Sequence, residues 1–359
     1  MSTHLDLPVE PPVAPMLAAP GGDTVPTDPD LAFEPKWDGF RAIVFRSADR
    51  VVIQGRGGDD LAYAFPEVVD AIRRELPDRV VVDGELIVIQ DGRLEFSVLG
   101  SRLRPRTDAR TIQRLADQHP ATLVVFDLLA LGDDVFMDRP YAQRRDSLEA
   151  LVSTEAAIRI TPMTRDRTIA ARWFEEFEGG GLDGLIVKDV DSTYQPGKRV
   201  MRKIKHRRTL DAVVAGWRPH AKEPDQVASL LLGLYDDEGR LHHIGAASGL
   251  SAALRRELTE DLRPLLLDGD AVHPWRDETS TARRPGGANR WNRGREQTWH
   301  ALRPDRVAEV TYDQFEGDRL RHVAAWQRWR PDRSPQSCTY AQAPELEAID
   351  VDAVLHGEF

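Results

Sequence analysis

The segment from Glu34 to Arg41 combines residue types that could carry a covalent reaction. Lys36 is followed by Asp38 and then Gly39. A lysine amine is a nucleophile only when it is unprotonated, so burial or nearby cations must lower its pKa. Glycine at 39 would let the backbone come close to a ligand. The same residues also suit an ordinary surface turn, and this segment alone does not decide between the two interpretations.

Lysine is scarce in this chain, which makes its positions informative. Only six of the 48 basic residues are lysine and the rest are arginine. Four of the six are Lys36, Lys188, Lys203 and Lys205, and each lies in a segment with other polar residues of interest. Lys203 and Lys205 alternate along a predicted strand and share one face, where phosphate is their natural partner. An arginine could not replace Lys36 as a nucleophile, because its guanidinium stays protonated.

Three further segments each have a plain structural alternative. Asp83-Gly84-Glu85 ends a valine-rich strand and could bind a ribose hydroxyl or hydrated magnesium, or simply form a turn. Phe126-Asp127 lies in an apolar strand, where an aromatic ring packs in a core more often than it stacks on a base. Asp183-Gly184 places an acid at the start of another strand.

In order and spacing, these segments resemble the covalent nucleotidyltransferase superfamily, and specifically the ATP-dependent DNA ligases. The resemblance is closest to the short stand-alone bacterial ligases associated with repair and end joining. It rests on Lys36–Arg41, Arg56, Asp83–Glu85, Phe126-Asp127, Asp183-Gly184, Lys203–Lys205 and Arg328–Arg333. Three positions depart from the family pattern: Asp183 replaces a glutamate, Arg333 replaces a lysine, and Gly55 replaces a serine.

The resemblance implies a function and a set of residue roles. Lys36 would attack the α-phosphorus of ATP, and the resulting AMP would pass to the 5′-phosphate of a DNA nick before the 3′-hydroxyl seals the strand. The implied ATP contacts are Glu34 and Phe126 for adenine, Arg41 and Glu85 for ribose, Lys203 and Lys205 for the α-phosphate, Arg56 for the nucleotide, and Arg330, Asp332 and Arg333 for pyrophosphate. Glu85 and Asp183 are the implied ligands of Mg2+, with Mn2+ as an alternative.

The predicted fold class is α+β with two domains. Residues 31–209 are expected to form a nucleotidyltransferase domain of antiparallel sheets with helices. Residues 210–342 are expected to form an all-β OB-fold barrel with one helix, because five strand-like segments surround one helical segment. Residues 1–30 are expected to be an extended arm and residues 343–359 an acidic tail.

Composition predicts a cytoplasmic protein without membrane segments, and the resemblance implies that it is nucleoid-associated and acts as a monomer. The formal net charge of −11 argues against nucleic acid as a partner, but three basic segments lie within the acidic total. Two of them are candidate contacts to nicked double-stranded DNA, through Arg102, Arg104, Arg106, Arg283, Arg284, Arg290, Arg293 and Arg295. The single Cys338 excludes a disulfide framework and a four-cysteine zinc module. A repair polymerase or an end-binding protein is a further candidate partner.

Three alternative functions share part of this pattern. An mRNA-capping guanylyltransferase or an RNA ligase would also use the lysine, the glutamate and the paired lysines. An NAD-dependent DNA ligase is disfavoured, because Lys36 lies too near the N-terminus for a nicotinamide-binding domain. A catalytically silent, OB-containing DNA-binding scaffold is the alternative from a different class, and the retained lysine counts against it.

Overall fold

The protein is described by a computed structural model that covers residues 4–103, 107–152, 157–269, 271–277, 279–286, 298–343 and 347–357, apart from the side chain of Glu316. Its contacts divide the chain into two compact units. The first unit comprises Met1–Lys205 together with Leu346–Phe359, and the second comprises His206–Glu345. The change of unit therefore comes four residues before the predicted boundary.

Strands build most of the first unit. In chain order they are β1 (Leu17–Pro20), β2 (Leu31–Pro35), β3 (Phe40–Ser47), β4 (Arg50–Gly55), β5 (Arg79–Gln90), β6 (Arg93–Leu94), β7 (Ala121–Leu131), β8 (Asp134–Val135), β9 (Ile158–Ile160), β10 (Leu185–Asp189) and β11 (Arg199–Ile204). A four-stranded sheet has the order β1-β11-β10-β2, and a seven-stranded sheet follows the path β4-β3-β5-β7-β8 with β6 on β5 and β9 on β7. All neighbours are antiparallel except β1 with β11 and β7 with β9.

Helices cover the sheets of the first unit. They are α1 (Pro66–Glu75), α2 (Phe96–Arg102), α3 (Ala109–Gln118), α4 (Tyr141–Glu149) and α5 (Arg167–Glu176). Helical spacing of apolar residues predicts α1, and its Val68 and Ile72 are buried against the seven-stranded sheet. The sequence also suggests a strand over Leu94–Val98, but β6 ends at Leu94 and α2 begins at Phe96.

The expectation of a loosely packed N-terminal arm is wrong. Leu5, Leu7 and Met16 are buried in a cluster with Ile43 and Phe45 of β3. β1 then joins the four-stranded sheet as a parallel edge strand. The Pro- and Gly-rich composition therefore hides a packed segment, whose apolar residues are spaced too irregularly to show helix or strand periodicity.

The second unit is a closed barrel, as the OB-fold prediction requires. Its strands are β12 (Arg208–Pro219), β13 (Val227–Tyr235), β14 (Leu241–Ser248), β15 (His300–Tyr312), β16 (Phe315–Glu316), β17 (Arg319–Leu320) and β18 (Ala324–Trp329). The barrel order is β12-β13-β14-β18-β15, with β16 and β17 forming a small hairpin. Helix α6 (Ala252–Leu262) packs Leu258 and Leu262 into the barrel core.

The expected acidic tail also proves to be an ordered part of the first unit. Its helix α7 (Val351–His356) buries Val351 and Val354 beside Trp173 and Phe177. A Cβ on Gly179 would lie 1.7 Å from Glu347 O, so glycine is needed there for the returning chain to pass. The segment contains five acidic residues, so its charge alone does not indicate that these two valines are buried. Among the described residues, no helix is long and apolar enough to cross a membrane.

Candidate active site

Lys36 follows β2 directly and is held beside the residues that precede β10. Its backbone N–H donates to Gly184 O at 2.8 Å, and its carbonyl accepts from Asp183 N at 3.0 Å. The Lys36 Nζ atom lies 2.7 Å from Asp183 Oδ2. Glycine is required at 184, because its φ is +99° and a Cβ would lie 2.0 Å from Ile204 O. The four-stranded sheet thus fixes the predicted nucleophile and its acidic neighbour together.

Lys36, Lys203 and Lys205 form a group that we call the lysine cluster. Lys205 Nζ lies 2.5 Å from the same Asp183 oxygen that Lys36 contacts. Burial would raise the pKa of Asp183, but the charges and hydrogen bonds of Lys36 and Lys205 outweigh it and lower that pKa. Burial lowers the pKa of Lys203, and the charges of Lys205 and Lys36 lower it further. The cluster is therefore electropositive, which suits an anion such as phosphate.

Arg41 and Glu85 are cross-strand partners on β3 and β5 of the seven-stranded sheet. Arg41 Nε donates to Asp83 Oδ1 at 2.6 Å. Burial raises the pKa of Glu85 to about 7, although the charges of Arg41 and Lys36 oppose the shift. A Cβ on Gly39 would lie 2.0 Å from Leu86 O, so glycine at this position lets β3 approach β5. The close approach of its backbone to a ligand stays a prediction.

Glu34 is buried at the end of β2, where donors surround its carboxylate. Lys188 Nζ lies 3.0 Å from Oε1 and 2.9 Å from Oε2, and the Tyr141 hydroxyl donates to Oε1. Lys188 also donates to Phe126 O at 3.0 Å and lies 5.0 Å from the centroid of the Phe126 ring. The Arg41 guanidinium is 4.7 Å from the same ring. Glu34 and Phe126 are thus brought into one partly buried region, as the adenine prediction requires.

Two carboxylates are available to a divalent metal ion, namely Glu85 and Asp183. Both interact with Lys36: Asp183 contacts it directly, and the charge of Lys36 lowers the pKa of Glu85 against the effect of burial. Within the described residues, no group of three His, Cys, Asp or Glu side chains could hold a metal ion. Mg2+ is commonly bound by one or two carboxylates, waters and substrate phosphates, so this pair fits an ion that arrives with the nucleotide.

Arg56 lies in an exposed turn directly after β4. The register of β3 with β4 pairs Ala42 with Gly55, so Arg56 is at the end of the sheet that also carries Arg41. Its role in nucleotide binding stays a prediction.

The residues of the C-terminal motif lie on the barrel of the second unit and form a group that we call the arginine network. Arg330 Nη1 lies 2.9 Å from Asp211 and 3.2 Å from Glu309, and its Nη2 is 2.7 Å from Asp332. Arg333 Nε lies 3.2 Å from Asp211. Arg328 Nη2 lies 2.7 Å from Glu309. Contact of Arg330, Asp332 and Arg333 with pyrophosphate stays a prediction.

The prediction that Arg102 contacts DNA is wrong. Its side chain is fully buried in α2, where it contacts Glu67 at 2.5 Å and donates to His119 O at 2.6 Å. An arginine in a basic segment can therefore be buried and stabilise the fold. A count of charges does not distinguish such a residue from one that is exposed to DNA. Glu67 and His119 lie 35 and 17 residues away, so sequence spacing gives no signal for this contact.

Arg283 is also tied down within its own unit. It pairs with Asp318 and donates to the Tyr340 hydroxyl at 2.7 Å and to His243 O at 3.3 Å. Its contact with DNA stays a prediction. Arg284 is half-buried and stays a candidate. The remaining candidates, Arg104, Arg106, Arg290, Arg293 and Arg295, lie outside the described residues.

Sequence reasoning missed several residues that support the site. Tyr141 and Arg145 of α4 contact Glu34, and Asp211 and Glu309 contact the C-terminal motif. Each is an ordinary residue in its own segment, and only folding brings it to its partner. Lys188 did carry a signal, since it is one of the few lysines.

A lysine grouped with two further lysines around a carboxylate, in a two-sheet unit followed by a barrel, is the arrangement expected of a covalent nucleotidyltransferase. The sequence matches the family "ATP dependent DNA ligase domain" over residues 15–205 and "ATP dependent DNA ligase C terminal region" over residues 223–333. The chain belongs to the ATP-dependent DNA ligase family, which confirms the predicted family, fold class and enzyme class.

Individual relatives agree with this assignment. DNA ligase C2 of Mycolicibacterium smegmatis is 48% identical over 345 residues, which cover 94% of this chain and 96% of the relative. DNA ligase C of Mycobacterium tuberculosis is 46% identical over 362 residues, which cover 98% and 99%. A solved structure from a study of Lig E DNA ligases has a TM-score of 0.52 at 16% identity, covering 88% of this chain and 99% of that one. That likeness shows the fold alone.

Proposed function

We propose that this protein seals nicks in double-stranded DNA, using Lys36 to carry AMP from ATP to the DNA. The observation that supports the proposal is the lysine cluster around Asp183, in which Lys36 lies beside cations suited to phosphate. The family supports the choice of ATP over GTP and NAD, and of a ligase over a silent scaffold.

In the first step, the Lys36 amine attacks the α-phosphorus of ATP, the bond to the β-phosphate breaks, and pyrophosphate leaves. Only the unprotonated amine can attack, so a proton must leave Lys36 and its contact with Asp183 must break before the reaction. Lys203 and Lys205 hold the α-phosphate and offset the negative charge that develops on it. The second unit brings Arg330, Asp332 and Arg333 to the leaving pyrophosphate by hinge closure.

The base and the sugar are held by groups on both sheets. The Glu34 carboxylate accepts a hydrogen bond from the adenine amino group, and Lys188 and Tyr141 keep that carboxylate in place. Phe126 stacks on the base. Arg41 and Glu85 bind the ribose hydroxyls, and Arg56 supports the nucleotide from the end of β4.

Two further in-line displacements complete the reaction. The 5′-phosphate of the nick takes AMP from Lys36, and the 3′-hydroxyl then displaces AMP to form the phosphodiester bond. Glu85 and Asp183 would hold Mg2+ or Mn2+, which supplies positive charge against the phosphates. We infer a role in DNA repair with a polymerase or an end-binding protein as partner, for a monomeric, cytoplasmic and nucleoid-associated protein.

One labelling experiment tests the proposed first step. The purified protein is incubated with magnesium and with each of α-labelled ATP, α-labelled GTP and NAD labelled in its AMP moiety. We expect covalent label on the protein, retained after denaturation at neutral or alkaline pH, from ATP alone. Label from GTP alone would indicate a capping enzyme, and the absence of label from all three would support the scaffold.

A further inference from the structure

A buried group of polar contacts joins the two sheets that carry the residues proposed to bind the nucleotide. Asp83, at 0% exposure, lies at the centre of this group. Its Oδ1 accepts from Arg41 Nε at 2.6 Å, and its Oδ2 accepts from the Tyr194 hydroxyl at 2.7 Å. One carboxylate thus fixes a ribose-binding arginine on β3 and a tyrosine from the loop between β10 and β11.

The backbone of Met16 is the second point of attachment. Met16 N donates to the Tyr194 hydroxyl at 3.0 Å, and Met16 O accepts from Arg41 Nη2 at 3.0 Å. Gln195 N also contacts Met16 Sδ at 3.4 Å. The Tyr194 hydroxyl therefore donates to Asp83 and accepts from Met16, which uses both of its hydrogen-bonding capacities.

Met16 leads directly into the strand that supports the phosphate-binding lysines. β1 runs parallel to β11, with Ala19 opposite Arg202 and Pro20 opposite Lys203. Beyond β1, Gly21 N donates to Lys203 O at 2.9 Å, and Lys205 N donates to Gly22 O at 3.2 Å. Residues 16–22 thus hold the backbone of both lysines, and Met16 is itself held by Tyr194 and Arg41.

We propose that Tyr194 is a positioning residue that sets the spacing between Arg41 on one sheet and Lys203 and Lys205 on the other. The hydroxyl contacts neither the nucleophile nor Glu34 in this arrangement, so it acts through Asp83 and Met16. Its effect falls on the geometry of phosphoryl transfer, where a displacement of about 1 Å can cost about a hundredfold in rate. This inference rests on the proposed function, because the binding of ribose by Arg41 and of phosphate by Lys203 and Lys205 is itself proposed.

The test is single-turnover formation of lysyl-AMP by the Tyr194→Phe variant of the full chain. We expect the rate constant at saturating ATP to fall about tenfold, while the half-saturating ATP concentration changes less than about threefold. The final fraction of labelled protein should equal that of the wild type. Tyr63→Phe is the matched control, because Tyr63 is 64% exposed and should leave both constants unchanged.

A second variant removes the same contact from the other side. Met16→Pro has no backbone N–H to donate to Tyr194, and Met16→Leu keeps that N–H as its control. If both substitutions act through one hydrogen bond, the Tyr194→Phe/Met16→Pro double variant should be no slower than the slower single variant.

The outcomes separate the inference from the proposed function. A wild type that takes no label overturns both. A labelled wild type with Tyr194→Phe equally fast overturns the positioning role alone. A lower labelled fraction at an unchanged rate would mean that Tyr194 serves folding only, and it too overturns the role.

Discussion

The lysine cluster of the first unit and the arginine network of the second hold their cations in opposite ways. At Lys203, burial and the neighbouring lysines lower the pKa. At Arg330, the hydrogen bond to Asp332 and the charge of Asp211 raise the pKa despite the cost of burial. In the first group a single carboxylate, Asp183, contacts two of the three lysines, whereas in the second group three carboxylates pair with Arg330 alone.

The difference indicates what each group is built to meet. An electropositive cluster is stabilised when a phosphate enters, and a lysine there can lose its proton and react. Arginine remains charged in any surroundings and suits a network whose partners are carboxylates. The chain uses lysine rarely, and this contrast explains why three of its six lysines lie together.

The largest effect should follow from replacing the amine of the lysine cluster with a guanidinium. Lys36→Arg keeps the positive charge but has no nucleophile, so lysyl-AMP formation should stop entirely. Labelling with α-labelled ATP measures this directly. Lys198→Arg, at an exposed lysine outside the cluster, is the matched control and should label like the wild type.

Asp183 tests whether the cluster needs its carboxylate. Asp183→Ala removes both the anchor of Lys36 and Lys205 and a candidate metal ligand, so sealing should fall by about a hundredfold or more. Asp183→Glu keeps the carboxylate and should retain most of the activity. Ligation of a labelled nicked duplex gives the rates, and an active alanine variant would remove Asp183 from the site.

The arginine network should matter for one step only. Arg330→Gln should slow lysyl-AMP formation by about ten- to a hundredfold, because a cation is lost from the leaving pyrophosphate. Sealing of a nick that already carries AMP should change less than about threefold. Arg303→Gln, at an exposed arginine of the same barrel that pairs with Asp305, should leave both steps near wild type. Equal loss in both steps would mean that Arg330 serves only to hold the barrel together.

The smallest effect concerns the acid beside the lysine cluster. Burial raises the pKa of Glu85 to about 7 from 4.5, so folding favours its protonated form. That stabilising contribution is complete below about pH 4.5 and is lost as the pH rises through about 7. Between pH 5 and 8, the wild type should lose about 2–3 kcal/mol relative to Glu85→Gln, measured by urea unfolding without ATP or metal. Parallel pH profiles of the two proteins would contradict the shift.

How far the sequence predicts this molecule depends on how local each signal is. Lys36, Asp183 and Lys205 lie in short segments whose residue types already indicate chemistry, and the structure brings all three into contact. The barrel followed from five strand-like segments of ordinary length.

The features that sequence reasoning missed depend on distant partners. Arg102 was assigned to DNA because its segment is basic, yet Glu67 and the carbonyls near the end of α3 enclose it. The packed N-terminal segment and α7 were judged by composition, which does not show that a few apolar residues meet a buried face elsewhere. Such contacts are properties of the fold and not of the segment.

The most direct test of the lysine cluster as a covalent site is to locate AMP on the protein. After incubation with ATP and magnesium, tryptic peptides are analysed by mass spectrometry for the mass of AMP. We predict the adduct on the peptide that contains Lys36, at that residue alone, and its loss when pyrophosphate is added. AMP on another lysine, or no adduct in a protein that still seals nicks, would contradict the account.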